Sequence, residues 1–173
     1  VTVVSDLSLD VDRLPKNLFL GSLPTLNSHL SQDGKPITDK AFLSVLDVAV
    51  EVKQTESGKR WRKSLSKPNW VPDDGVYSAS LSMMKETAPF EVFINVDGKT
   101  FQRSAKQLIT VREAFELNVA EDKNASEPTY LLTVTSRMPT LDAAKTKVDA
   151  KIIMPDKKTL AKSLKAVDAN TWQ

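Results

Sequence analysis

Histidine occurs once in the 173 residues, at His29, and cysteine does not occur. Zinc is held by several nitrogen or sulfur ligands, so one imidazole with no thiolate near it does not make a zinc site. A Ser-His-Asp triad would have to be built on His29 alone. Leu26-Asn27-Ser28-His29-Leu30 reads as a loop or a strand end, which points to a structural histidine. Asp73-Asp74-Gly75 offers carboxylates to calcium, but that ion takes roughly six to eight oxygen ligands and the spacing of a calcium loop is missing. The plainer reading is a solvated turn in which Gly75 supplies positive φ.

Lys59-Arg60-Trp61-Arg62-Lys63 interleaves cations with an aromatic ring, a pattern that can hold phosphate backbones or acidic glycans. On a strand, alternation divides these residues between two faces, with Trp61 toward a core. Cations along an edge strand also deter addition of another strand. Trp70 and Trp172 are expected as core anchors, since burying such a ring removes roughly 150–250 Å² from water at roughly 25 cal/mol per Å². Exposed, either ring, or Trp61 or Tyr77, would instead favour a sugar platform. The 5 glycines are too scattered for a phosphate-binding loop, and no pair of carboxylates stands out for glycoside hydrolysis. No catalytic residue, metal ligand or cofactor is therefore assigned, and the ligand is left open.

Bulk charge is as bland as the motifs. Residues 1–111 carry 14 Lys+Arg against 13 Asp+Glu and residues 112–173 carry 10 against 9, so neither half calls for nucleic acid or an acidic membrane surface. Hydrophobic residues at 40% and charged residues at 27% are ordinary for a globular chain. Apolar runs are too short to span a bilayer. The first residue is Val1 rather than Met, as in a processed or excised chain.

The elements that would position any site are strands. Val48, Val50 and Val52 alternate with Asp47, Glu51 and Lys53, and Phe90, Val92, Ile94 and Val96 alternate with Glu91, Phe93 and Asn95. Asp97-Gly98 predicts a tight hairpin turn through positive φ, and Ser57-Gly58 a similar one. Strands are expected near residues 6–11, 18–23, 45–53, 59–65, 76–82, 90–97 and 100–111, the rhythm of an immunoglobulin-like antiparallel β-sandwich. Residues 161–166 and 38–46 carry weaker helical alternatives.

The pattern also reads as starting over near residue 112. At one shared offset of 102, Val48, Val50 and Val52 match Ala150, Ile152 and Met154, and Trp70 matches Trp172. Leu7, Leu9 and Val11 match Phe115, Leu117 and Val119, and Pro24-Thr25-Leu26 matches Pro139-Thr140-Leu141. The extra residues of the first copy then fall in 27–45, around a loop at Gln32-Asp33-Gly34-Lys35-Pro36. Two domains follow: a complete sandwich over 1–111 and an incomplete second repeat over 112–173. An unfinished sandwich exposes an inner face and an edge, which is unfavourable in water. The native protein is accordingly expected to continue past Gln173, or the open repeat to pack on a neighbouring domain or on another copy.

Asp73-Asp74-Gly75-Val76-Tyr77-Ser78-Ala79-Ser80-Leu81, followed by 90–98 and 101–111, resembles bacterial immunoglobulin-like domains of exported proteins, of the type found beside von Willebrand factor A domains. More narrowly, it is similar to an uncharacterised gammaproteobacterial family linked to a C-terminal glycine-glycine surface-sorting tail. The resemblance implies an exported, membrane-anchored protein of the periplasm or cell surface, although the tail is absent from these residues. It implies no activity for any residue. The function expected is a non-catalytic structural or adhesive module with protein partners, no nucleic acid and no direct membrane insertion; the alternative is a carbohydrate-binding module.

Overall fold

The structure, a computed structural model, describes residues 6–21, 23–67, 70–121, 123–124, 126, 130–138, 141, 143–153 and 156–173. The chain divides into two compact units, Val1–Arg112 and Glu113–Gln173.

Unit 1 is an immunoglobulin-like sandwich. Its elements are β1 (Leu7–Val11), β2 (Asn17–Phe19), β3 (Thr25–Gln32), β4 (Lys35–Pro36), α1 (Lys40–Leu43), β5 (Asp47–Gln54), β6 (Arg60–Ser64), β7 (Tyr77–Ser80), β8 (Ala88–Asp97) and β9 (Gln102–Arg112). One sheet runs in the order β2-β9-β8-β5-β6; in the other, β3 pairs with β1, β4 and β7. β5 and β8 form the inner wall because their apolar residues recur every second position. Val48, Val50 and Val52 lie directly opposite Val96, Ile94 and Val92, and all six are buried. Burying each such side chain contributes roughly 1.5–3 kcal/mol. Leu26 and Leu30 of β3, Tyr77 and Ala79 of β7 and Ile109 and Val111 of β9 close the same cluster.

The N-terminal segment joins both sheets. β1 pairs antiparallel with β3, then the chain crosses, burying Leu14 and Leu18, and β2 pairs parallel with β9 through Asn17↔Thr110, Leu18↔Val111 and Phe19↔Arg112.

Several expectations need correction. Residues 25–32 are neither a loop nor an insertion but the strand that organises the first sheet. Their alternation is hidden because Ser28 takes an inward position between Leu26 and Leu30; its hydroxyl is satisfied by donating to the Tyr77 carbonyl at 3.4 Å. Residues 161–164 belong to a strand, not a helix. The turn after Asp97 is wider than two residues, with the Gly98 N–H donating to the Phe101 carbonyl at 2.9 Å, and Gly98 does not adopt positive φ. Glycine is required there for space: a Cβ would sit 2.4 Å from the Phe101 ring.

Unit 2 contains β10 (Phe115–Glu121), β11 (Tyr130–Ser136), β12 (Val148–Ile153), β13 (Thr159–Leu164) and β14 (Thr171–Trp172). The order β10-β11-β14 mirrors β1-β3-β7, and the hairpin β12-β13 mirrors β5-β6. Counterparts of β8 and β9 do not occur among the described residues. Val148, Ala150 and Ile152 lie on the more buried side of β12, as Val48, Val50 and Val52 do in β5; Met154 lies outside the described residues. Leu26 is inside β3, whereas Leu141 follows β11, and Pro139 and Thr140 lie outside the described residues.

Candidate functional site

The two tryptophans expected to be equivalent part company. Trp172 is 1% exposed, lies in β14 opposite Val134, and donates its indole N–H to the Thr146 carbonyl at 3.0 Å. Trp70 is 47% exposed: it precedes β7 rather than lying within it, and its ring meets Tyr77 in a T-shaped contact. This corrects its assignment to the core.

Trp70, Val71, Pro72, Asp73, Asp74, Val76 and Ser78 line a cavity of about 570 Å³ on unit 1. The turn that shapes it is tightly specified. Gly75 donates its N–H to the Pro72 carbonyl at 3.2 Å and has φ +72°, while Asp74 accepts from the Val76 N–H at 3.0 Å. Asp73 accepts from Lys40 at 2.6 Å, and that hydrogen bond and charge hold its carboxyl below the usual carboxylate range. Lys67 places its ammonium 5.8 Å from the Trp70 ring centre. An aromatic face beside two carboxylates and a hydroxyl can stack on an apolar sugar face and accept hydrogen bonds from its hydroxyls. The residue types were visible in the sequence, with Asp73 three positions after Trp70; the exposure of the ring was not.

His29 lies opposite Asp10 across β1 and β3, with its Nε2 3.5 Å from the Asp10 carboxylate. Ser31 donates its hydroxyl to the same carboxylate and is buried. A hydrolytic triad needs the imidazole between hydroxyl and carboxylate. Here the Asp10 carboxylate takes both contacts, and no hydrogen bond joins His29 to Ser31 among the described residues. Among the described residues, no three His, Cys, Asp or Glu side chains gather as a metal site would require.

The basic segment forms β6, the edge of the five-stranded sheet. Arg60 pairs with Glu51 at 3.3 Å and Arg62 with Asp47 at 3.5 Å, while Lys59 reaches Glu86 at 3.2 Å. Trp61 turns the other way, against Phe90 at 6.1 Å between ring centres. Glu91 of β8 sits between Lys106 and Lys53 on the outer face of the sheet. Their hydrogen bonds, that of Lys106 foremost, lower its pKa against the opposing effect of burial. These cations are matched by local carboxylates, which removes most of the free positive charge that a polyanion would seek.

Unit 2 carries the most unusual surface. Phe115, Leu117 and Val119, successive residues on one face of β10, are 42%, 62% and 54% exposed. Their unit 1 counterparts Leu7, Leu9 and Val11 are partly buried against the core. β12 has β13 on one side and no strand on the other among the described residues. Open strand edges and exposed apolar faces are surfaces that other polypeptide segments cover.

No helix among the described residues is long and apolar enough to cross a membrane. No protein-family model matches the chain, and no curated protein matches it. Among solved structures it is similar to the crystal structure of chicken CNTN1 FN1-FN3 domains, with 9% identity over 95% of this chain and 52% of that one, at a TM-score of 0.34. The chain thus spans about half the length of that structure. The immunoglobulin-like assignment rests on the strand order and register described above.

Proposed function

We propose that the chain is a non-catalytic structural or adhesive module of an exported, membrane-anchored bacterial protein, acting through protein contacts. The observation that carries the protein-contact reading is the exposed apolar face of Phe115, Leu117 and Val119, together with an edge of β12 that pairs with no strand among the described residues. In the cluster of His29, Asp10 and Ser31 the carboxylate, rather than the imidazole, takes both contacts, an order unlike that of a hydrolytic triad. Export and anchoring rest on the likeness of 73–81, 90–98 and 101–111 to von Willebrand factor A-associated domains and to the gammaproteobacterial family with the sorting tail. Fractionation of cells with an antibody raised against residues 1–173 tests this: signal in the envelope is expected, and signal confined to the cytosol overturns it.

The exposed ring of Trp70 favours a second reading, a carbohydrate-binding module using the cavity it shares with Asp73, Asp74 and Ser78. A glycan array probed with wild-type protein and Trp70→Ala separates the two. A sugar retained by the wild type and lost by the variant would put this reading first; an empty array removes it.

A further inference from the structure

The cavity beside Trp70 reaches the outer face of the sheet in which β3 lies between β7 and β1. Ser78, which lines the cavity and is exposed, stands opposite Asn27 across β7 and β3, and residues opposite each other in an antiparallel pair share a face. Two positions along β3, His29 stands opposite Asp10 of β1 on that same face. The inward positions of these strands are taken by Leu26, Ser28, Leu30, Tyr77 and Ala79, all buried. What faces outward next to the indole is therefore polar.

Hydrogen bonds in series set the polarity of this row. The Ser78 hydroxyl donates to the Asn27 side-chain carbonyl at 2.8 Å, and the Asn27 amide donates to the Asp12 carboxylate at 2.9 Å. Ser78 thus uses its one proton within the protein, and its oxygen is left to accept from a ligand. Asn27 keeps a second amide proton to donate, and Asp12 keeps a carboxylate oxygen to accept. Each group orients the next, so the row is ordered before a ligand arrives. Neighbouring strands lie roughly 4.8 Å apart, so Ser78, Asn27 and Asp12 span roughly 10 Å leading away from the cavity. That is longer than one sugar ring.

We propose that the Trp70 site takes a neutral oligosaccharide, with one ring stacked on the indole and the next lying along Ser78, Asn27 and Asp12. Sugar hydroxyls both donate and accept, which suits a row that offers acceptor, donor and acceptor in turn. The charge on this face selects against acidic glycans. Asp12 and the neighbouring Asp10 repel uronates and sulfated sugars, and the row holds no lysine or arginine to offset them. At the cavity, the charge of Lys40 is already matched by Asp73. The inference rests on the carbohydrate reading of the cavity and adds to it the length and the charge of the ligand.

Isothermal titration of residues 1–173 with glucose, mannose and galactose, the linear trimer of each, and the trimer of galacturonate tests this. At least one neutral trimer is expected to bind at least about tenfold more tightly than its monomer, and the galacturonate trimer not to bind. Trp70→Ala abolishes binding of the neutral trimer. Asn27→Ala weakens it at least about tenfold, toward the affinity of the monomer. Asp12→Ala, at an exposed position at the end of the row, does the same and serves if Asn27→Ala fails to fold. Far-UV circular dichroism checks the fold of each variant. A trimer that binds no more tightly than its monomer, a trimer indifferent to the folded row variants, or a preference for galacturonate overturns the inference. In those cases binding that still requires Trp70 leaves the carbohydrate reading standing. Absence of binding by every trimer also overturns the inference, and an empty glycan array would then remove the carbohydrate reading itself.

Discussion

Gly75 lies so close to Ile37 that a Cβ built on it would sit 2.3 Å from the Ile37 carbonyl oxygen. Backbone is in the way, so no side-chain rotation relieves the overlap, and the φ of +72° adds strain for any other residue. Gly75→Ala is therefore expected to destabilise unit 1 by about 2–4 kcal/mol. Gly58 is the control: its φ is +70° but nothing lies within 4 Å of an added Cβ. Gly58→Ala is expected to cost only about 1–2 kcal/mol. Urea unfolding of the two variants measures the difference.

The tryptophans predict opposite results from one substitution. Trp172→Ala removes the largest side chain that is fully buried among the described residues, with its hydrogen bond, and is expected to destabilise unit 2 by about 3–5 kcal/mol. Trp70→Ala removes a half-exposed ring and is expected to cost less than about 1 kcal/mol. Thermal melts check the energies. Quenching by iodide checks the geometry, since the Trp70 contribution to fluorescence should be quenched and that of Trp172 protected.

Glu91 makes stability depend on pH in a defined direction. Its folded-state pKa lies below the ordinary 4.5 because Lys106 and Lys53 favour the carboxylate. Above pH 4.5 the glutamate is ionised in both folded and unfolded chains and the stabilisation is complete. As the pH falls below that value the unfolded chain takes up the proton first, and the contribution is lost through the lowered folded pKa. Urea midpoints of wild type and Glu91→Gln should converge in that acidic range and stay apart at neutral pH. A constant separation across the range would refute the assignment.

Residues 1–112 are expected to fold alone. The buried cluster of unit 1 draws on Leu14 through Val111, and both sheets close within that span. A truncated chain should be a monomer with a single cooperative urea transition; an unfolded product would show that the sandwich needs the following residues.

Legibility of the sequence follows the chemistry of the inward positions. β5 and β8 are plain because their inward residues are all apolar. β3 is obscured by Ser28, a polar residue made acceptable by a carbonyl on β7, 49 positions away in the chain. The same limit hides the Trp70 site. Whether an indole is core or surface depends on where β7 begins, and local pattern places strand ends only to within a few residues. Trp61 is different, because its place in an alternating edge strand already points it toward Phe90. Gly98 was the subtler case: the Asp-Gly pair marks a turn, but the need for glycine comes from the Phe101 ring rather than from φ.

The parallel pairing of β2 with β9 has a mechanical consequence. β2 stands near the start of unit 1 and β9 at its end, and they run in the same direction. A pull on the two ends of the unit draws these strands past each other along their length. The bonds between Asn17–Phe19 and Thr110–Arg112 are then loaded together rather than opened one at a time from an end. A module built in this way holds under tension along its chain axis and yields abruptly, when the short clasp slips as a whole.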